Sequence, residues 1–126
     1  PDLDDVVGEV AVFLKQRIAD CEAVGIPRDK FLLDPGFGFG KIVANNLALL
    51  NGLPQLDAIG LPLLVGLSRK SLIDKLIGRE VDERLPASLA LAVLAAERGA
   101  AIIRTHDVAE TSDALAMCAA LAVQEL

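Results

Sequence analysis

Tryptophan and tyrosine are absent, histidine occurs once and cysteine twice, and each scarcity closes off a class of chemistry. A single histidine, His106, with two distant thiols, Cys21 and Cys118, cannot compose a His/Cys metal cluster. No C-x-x-C pair exists either, so the thiols read as reduced residues on helices, and no protein-built metal site is expected. Basic residues are scarce: 12 Lys+Arg against 18 Asp+Glu leave a formal charge of −6. Phosphate backbones need a basic surface, so nucleic acid is not an expected partner. Uninterrupted apolar runs of about 20 residues, the length a membrane span requires, are also missing. The best stretch, 85–96, is broken by Pro86 and Ser88 and stops at Glu97-Arg98, so no membrane partner is expected and a buried helix fits better. The opening Pro1-Asp2-Leu3-Asp4-Asp5 is acidic where a secretory signal is basic, which gives a cytoplasmic protein as the expectation.

What is present is apolar, 53% of 126 residues, and rich in Ala and Leu, so a core within one domain and a helical bias both follow. Three short apolar runs each end in polar residues. They are 31–34, ending at Asp34; 61–67, ending at Ser68-Arg69-Lys70; and 101–104, ending at Arg104-Thr105-His106-Asp107. Asp34, Arg69 and Arg104 recur at intervals of 35 residues, and a helical pattern follows each. Repeated strand–helix units read this way when a site is built at the C-terminal ends of parallel strands. The pattern predicts a leading helix over 6–24, apolar at Val6, Val10, Phe13, Leu14, Ile18 and Cys21 and closed by Gly25. Further helices are predicted over 44–53 with Asn45 as cap, 71–77 with a Ser71-x-x-Asp74 capping box, 86–98 with Pro86 at the first helical position, and 107–123 capped by Asp107. Three parallel strands leave two open edges, whereas a closed barrel needs eight units and about 250 residues. The fold class is therefore α/β, either a small open domain or part of a barrel.

The glycine-rich loop Gly36-Phe37-Gly38-Phe39-Gly40-Lys41 fails as a P-loop, because Ile42 stands where a hydroxyl residue is required. It fails as a dinucleotide fingerprint as well, its third glycine arriving one residue early. Glycines can still let backbone approach a ligand while Phe37 and Phe39 offer apolar surface. Asp34 reads either as a cap for this loop or as an acceptor for an amidine-like edge. Arg69, Lys70 and Arg104 join His106 at two strand ends, each before a helix start, and such a concentration in an acidic chain points to an anion. Ser68 and Ser71 have no sequence-readable base, and no G-x-S-x-G elbow exists, so serine hydrolysis is disfavoured.

The stretches Leu32-Leu33-Asp34-Pro35-Gly36-Phe37-Gly38-Phe39-Gly40-Lys41, Leu63-Leu64-Val65-Gly66-Leu67-Ser68-Arg69-Lys70-Ser71 and Ile103-Arg104-Thr105-His106-Asp107-Val108, in that order and spacing, resemble the dihydropteroate synthase family of folate biosynthesis. The resemblance covers the whole chain, 1–126, and implies the C-terminal half of a TIM (β/α)8 barrel, with strands six to eight at about 31–34, 61–67 and 101–104. It implies a transferase joining 6-hydroxymethyl-7,8-dihydropterin pyrophosphate to p-aminobenzoate with loss of pyrophosphate, a sulfonamide target in the family. Carried over by motif, Asp34, Phe37, Gly66, Lys70 and Arg104 would bind the pterin, and Phe39, Lys70 and Ser71 would line the p-aminobenzoate pocket. Arg104 and His106 would hold pyrophosphate, which leaves Lys70, Arg104 and His106 as the catalytic set. Mg²⁺ is implied for the family enzyme, through a residue of its first half that is not in this chain. A homodimer through the late helices, 88–98 and 108–123, or association with the missing N-terminal half, is implied too. The 126-residue chain alone is expected to be inactive. Two other readings remain: a methyltetrahydrofolate-binding methyltransferase barrel, and a non-catalytic anion-binding or self-associating α/β module.

Overall fold

In the computed structural model of the protein, residues 6–37, 43–68 and 70–123 are described. The leading helix α1 spans Val6–Ala23 and buries Val6, Ala11, Leu14 and Ile18. Phe13, counted on that apolar stripe, is exposed, because it lies about 100° round the helix from Leu14. Gly25, at positive φ, follows the helix as expected.

Helix α2, Val43–Asn51, and helix α3, Leu53–Asp57, pack against α1. Asn45 is not the cap of α2. The helix has already begun at Val43, which turns Asn45 inward, where it is buried and its Oδ1 has no partner among the described residues. The sequence reading had no α3, since Pro54 reads as a breaker. Proline is nevertheless well tolerated in a first turn, where its missing N–H has no helical acceptor to lose. Leu53 and Leu56 of this turn reach the centre of the core with Leu49 and Leu63.

Two strands follow, β1 at Leu63–Val65 and β2 at Ala100–Ile103, paired parallel with Leu64 opposite Ile102 and Val65 opposite Ile103. The register slips between Leu63 and Leu64. The expected first strand, 31–34, is reduced to one parallel bridge from Leu33 to Leu63, made by Leu33 N–H to Pro62 O and Leu64 N–H to Leu33 O. Beyond it Asp34 Oδ1 accepts the Gly36 N–H at 2.9 Å, which turns the chain away, and Pro35 has no N–H for a ladder. The second strand is shorter than 61–67 for a similar reason, Pro62 being unable to donate at its start. The order across the sheet is Leu33, β1, β2, and all three segments run the same way.

Helix α4, Ser71–Ile77, starts one residue earlier than the expected capping box. Lys70 holds the N-cap position with extended backbone, and Ser71 is the first helical residue. A single 3-10 turn, Val81–Glu83, occupies the charged connector and is closed by reciprocal Glu80 and Glu83 caps. Helix α5, Leu85–Glu97, packs on β2 and on helix α6, Val108–Ala122. Pro86 is its second residue, still within the first turn where proline is accepted. Asp107 is the N-cap residue of α6 but makes no side-chain cap bond; its own N–H donates to Thr105 Oγ1 at 3.1 Å. Cys21 and Cys118 are unbridged, in α1 and α6. No helix among the described residues is long and apolar enough to cross a membrane.

The α5–β2 junction depends on Gly99. Its φ is +111°, and a Cβ added there would lie 2.8 Å from Asp57 Cγ and 3.0 Å from Asp57 Cβ. Left-handed backbone costs a non-glycine residue about 1–2 kcal/mol, and the contact adds to it. Gly99→Ala is expected to destabilise the protein by about 2 kcal/mol, seen as a lower urea midpoint with unchanged slope. An unchanged midpoint would contradict the placement of Asp57.

Candidate active site

The three parallel segments release their chains on one side of the sheet. Asp34 leaves the Leu33 bridge, Gly66 and Ser68 leave β1, and Arg104 to His106 leave β2, whose pairing extends one bond further through Arg104 N–H to Val65 O. Between them lies a cleft of about 360 Å³ lined by Gly66, Ser68, Lys70, Arg104, Thr105 and His106. Lys70 arrives there because it caps α4, which places its backbone at the mouth of the cleft.

Arg104 organises the floor. Its guanidinium lies across the Cα of Gly66, so closely that a Cβ at 66 would stand 2.6 Å from Nη2 and 2.8 Å from Nε. From there Nη1 reaches Asp34 Oδ2 at 3.6 Å. With side chains 53% and 42% exposed, this pair contributes only ~0–1 kcal/mol to stability. It is cheaply broken by a ligand, and so belongs to the site more than to the scaffold. Of the two sequence readings of Asp34, the loop cap is seen, one carboxylate oxygen accepting the Gly36 N–H while the other faces Arg104.

Behind His106 stands a hydroxyl cluster. Ser68 Oγ lies 3.0 Å from both the backbone N and the Nδ1 of His106, and 3.3 Å from Thr105 Oγ1. Thr105 Oγ1 is 3.0 Å from Thr111 Oγ1 on α6. Sequence reasoning placed Ser68 and Thr105 beside the site without a role and passed over Thr111. The only signal was the hydroxyl at each of three positions near strand or helix ends.

The remaining expected residues divide. Phe37 does not line the cleft: it is 2% exposed and packs within the core cluster. Phe39 and Arg69 lie outside the described residues, as does the side chain of Ser71. Among the described residues no three His, Cys, Asp or Glu side chains are grouped to hold a metal ion. The cleft itself offers two cations, an imidazole and hydroxyls, a donor set unsuited to Mg²⁺, which takes carboxylate and phosphate oxygens. No step is therefore derived through magnesium.

Gly66 is a direct test of this arrangement. Gly66→Ala is expected to push Arg104 off the floor and weaken binding of an added anion about tenfold while leaving the stability from a urea melt within about 1 kcal/mol of the parent. Calorimetric titration showing equal affinity would refute the close approach.

A cleft at the C-terminal ends of parallel strands is where α/β proteins build their ligand sites. A family model described as pterin binding enzyme matches residues 1–106, and the chain belongs to that family. The dihydropteroate synthase of Escherichia coli K12 is 52% identical over 115 residues, which are 91% of this chain and 41% of the relative. The dihydropteroate synthase of Xanthomonas albilineans in complex with 7,8-dihydropteroate superposes with a TM-score of 0.95 at 49% identity, covering 99% of this chain and 48% of that one. The same enzyme with 4-aminobenzoic acid also gives 0.95 at 49% identity, over 99% of this chain and 46% of that one. The chain thus spans less than half the length of each.

Proposed function

We propose that this chain is the C-terminal portion of a dihydropteroate synthase, its Leu33 segment, β1 and β2 being strands six to eight of a (β/α)8 barrel and 1–126 one part of that single domain. The observation that carries the reading is the convergence of Lys70, Arg104 and His106 on one cleft with Asp34 at its edge. In the reaction the amine of p-aminobenzoate forms a C–N bond at the pterin's exocyclic methylene as the C–O bond to pyrophosphate breaks. Negative charge moves onto the departing pyrophosphate. Arg104 and His106 stabilise that charge, and fixed donors aimed at developing charge are the largest single contribution an enzyme can make. Asp34 accepts from the amino-pyrimidine edge of the pterin, for which its oxygens keep lone pairs beyond those facing Gly36 and Arg104. Lys70 stands between the two substrates, with Gly66 giving the ring room and Phe39 and Ser71 completing the p-aminobenzoate side. Phe37 supports the pterin slot from the core instead of lining it. Sulfonamides, as p-aminobenzoate analogues, are expected to compete at the same place.

A homodimer through α5 and α6 belongs to the same proposal, supported by Met117 and Leu121, exposed one turn apart on α6. Sedimentation showing monomer alone would remove it. A cytoplasmic location is consistent with the two unbridged thiols. The methyltransferase and stand-alone-module readings gain no observation of their own.

The proposal has a simple test. A chimera joining this chain to the N-terminal portion of the E. coli relative is expected to form dihydropteroate, and the 126-residue chain alone is not. Product from the chain alone would overturn its expected inactivity; a folded chimera without product would overturn the assignment.

A further inference from the structure

The hydroxyls behind His106 can be counted, and with the Thr105 hydroxyl donating to Ser68 Oγ the count leaves one arrangement of protons. A hydroxyl donates once and accepts twice. Thr105 Oγ1 accepts the Asp107 N–H at 3.1 Å and donates to Ser68 Oγ at 3.3 Å. With its proton committed, its 3.0 Å contact to Thr111 Oγ1 requires Thr111 as the donor. Thr105 is then saturated. Ser68 Oγ accepts the Thr105 O–H and the backbone N–H of His106 at 3.0 Å, which fills both its lone pairs. Its 3.0 Å contact to His106 Nδ1 can therefore be made only by donating. Nδ1 accepts, so the proton of the neutral ring sits on Nε2.

We propose that the Thr111–Thr105–Ser68 line of hydroxyls is a positioning device that holds His106 in the Nε2–H tautomer and presents that N–H to an anion in the cleft. Burial makes the device effective. Ser68 and Thr111 are both buried, so water does not replace a missing partner, and an unsatisfied hydroxyl there costs about 1–3 kcal/mol. The ring edge carrying Nδ1 is tied back to Ser68 while the exposed ring lines the cleft, which leaves the Nε2 edge for a ligand. Fixing one imidazole nitrogen to decide the role of the other is how histidine tautomers are commonly set. The anion is taken to be pyrophosphate, and that part of the inference rests on the proposed function; the tautomer does not. Ser68 and Thr105 also border the cleft, so the tautomer of His106, and not affinity alone, is the readout that isolates their positioning role.

His106 is the only histidine of the 126 residues, so its imidazole nitrogens can be read directly in protein labelled with nitrogen-15 histidine. Long-range proton–nitrogen spectra are recorded at alkaline pH, where an imidazole is neutral. The parent protein is expected to show a protonated Nε2 and a bare Nδ1. Thr105→Val frees one lone pair of Ser68, which can then accept from Nδ1–H, and the two nitrogen shifts are expected to converge as both tautomers populate. Ser68→Ala should do the same, and Thr105→Ser should restore the parent pattern. Pyrophosphate affinity is expected to fall about 2- to 10-fold in Thr105→Val, the loss of one ordinary hydrogen bond. A parent ring protonated on Nδ1 overturns the proposal. So do Thr105→Val and Ser68→Ala spectra that match the parent, either variant sufficing if the other does not fold. A locked tautomer whose Nε2 signal ignores added pyrophosphate overturns the pyrophosphate assignment and leaves the hydroxyl device standing.

Discussion

Arg104→Ala is expected to weaken pyrophosphate binding about 10- to 100-fold while moving the thermal midpoint little. The first half follows from what is removed. Hydrogen bonds from a charged group contribute about 1.5–3 kcal/mol each, and 1.4 kcal/mol is a factor of ten in affinity. Arginine's planar fork grips an anion through two donors, so one such loss is a lower limit. The second half follows from exposure. The Arg104–Asp34 pair is half in water and at 3.6 Å, so the fold gains little from it. Asp34 also keeps its bond from the Gly36 N–H in the variant, so the loop it caps stays in place. Calorimetric titration and a thermal melt on the same sample check both halves together. Equal affinity in the two proteins would remove Arg104 from the anion site. Arg104→Lys is expected to recover only part of the binding, since an ammonium restores the charge without the fork.

The second large effect lies beneath the site. Leu63→Ala is expected to destabilise the protein by about 2–5 kcal/mol, a large share of the 5–15 kcal/mol that holds an ordinary domain. Leu63 is fully buried, bridges to Leu33 on one side and pairs with Ala100 on the other, and touches the cluster that α1, α2 and α3 bury. Truncating it opens a cavity where the segments meet, and the strand ends above it lose their common support. A urea melt measures the loss, and Val24→Ala, exposed just past the end of α1, serves as a control expected to stay within about 0.5 kcal/mol. A Leu63→Ala midpoint as high as the control's would mean that the three segments are not joined as described.

Much of this arrangement could be read from residue order, and the failures have physical causes. The apolar runs before Asp34, Ser68 and Arg104 announced the three parallel segments because each is bounded by residues that cannot be buried cheaply, although Leu32 in the first and Ile102 in the third stay exposed. The first two were read too long, whereas β2 has the expected four residues, one position earlier. Apolarity says that a residue is covered, whereas a ladder also needs an N–H, which Pro62 lacks and which Gly36 spends on Asp34. Asn45 misled because capping propensity is local, while the start of α2 at Val43 is not. Phe37 was drawn to the ligand side by its glycine neighbours, and the core claimed it instead. That Gly66, Lys70, Arg104 and His106 come together at adjoining strand ends was legible from their motifs. The Ser68–Thr105 contact was not. It joins residues 37 apart in sequence through side-chain atoms whose meeting depends on how β1 and β2 register.

That register has a consequence for how the protein behaves in bulk. Among the described residues strand β2 pairs with β1 alone, and its middle residues Ala101 and Ile102 stay open to solvent, Ile102 by 40%. A row of unspent amide groups flanked by apolar side chains is a template that another extended chain can copy. Closing the β1–β2 pair also brings together residues nearly forty positions apart, a slow step during which that template stays uncovered. For the 126-residue chain taken by itself, light scattering is therefore expected to grow steeply with protein concentration during refolding, whereas a closed barrel of eight strands would pair that edge. Swapping Ile102 for lysine, a residue that natural sheet edges use to repel such copying, should flatten that growth.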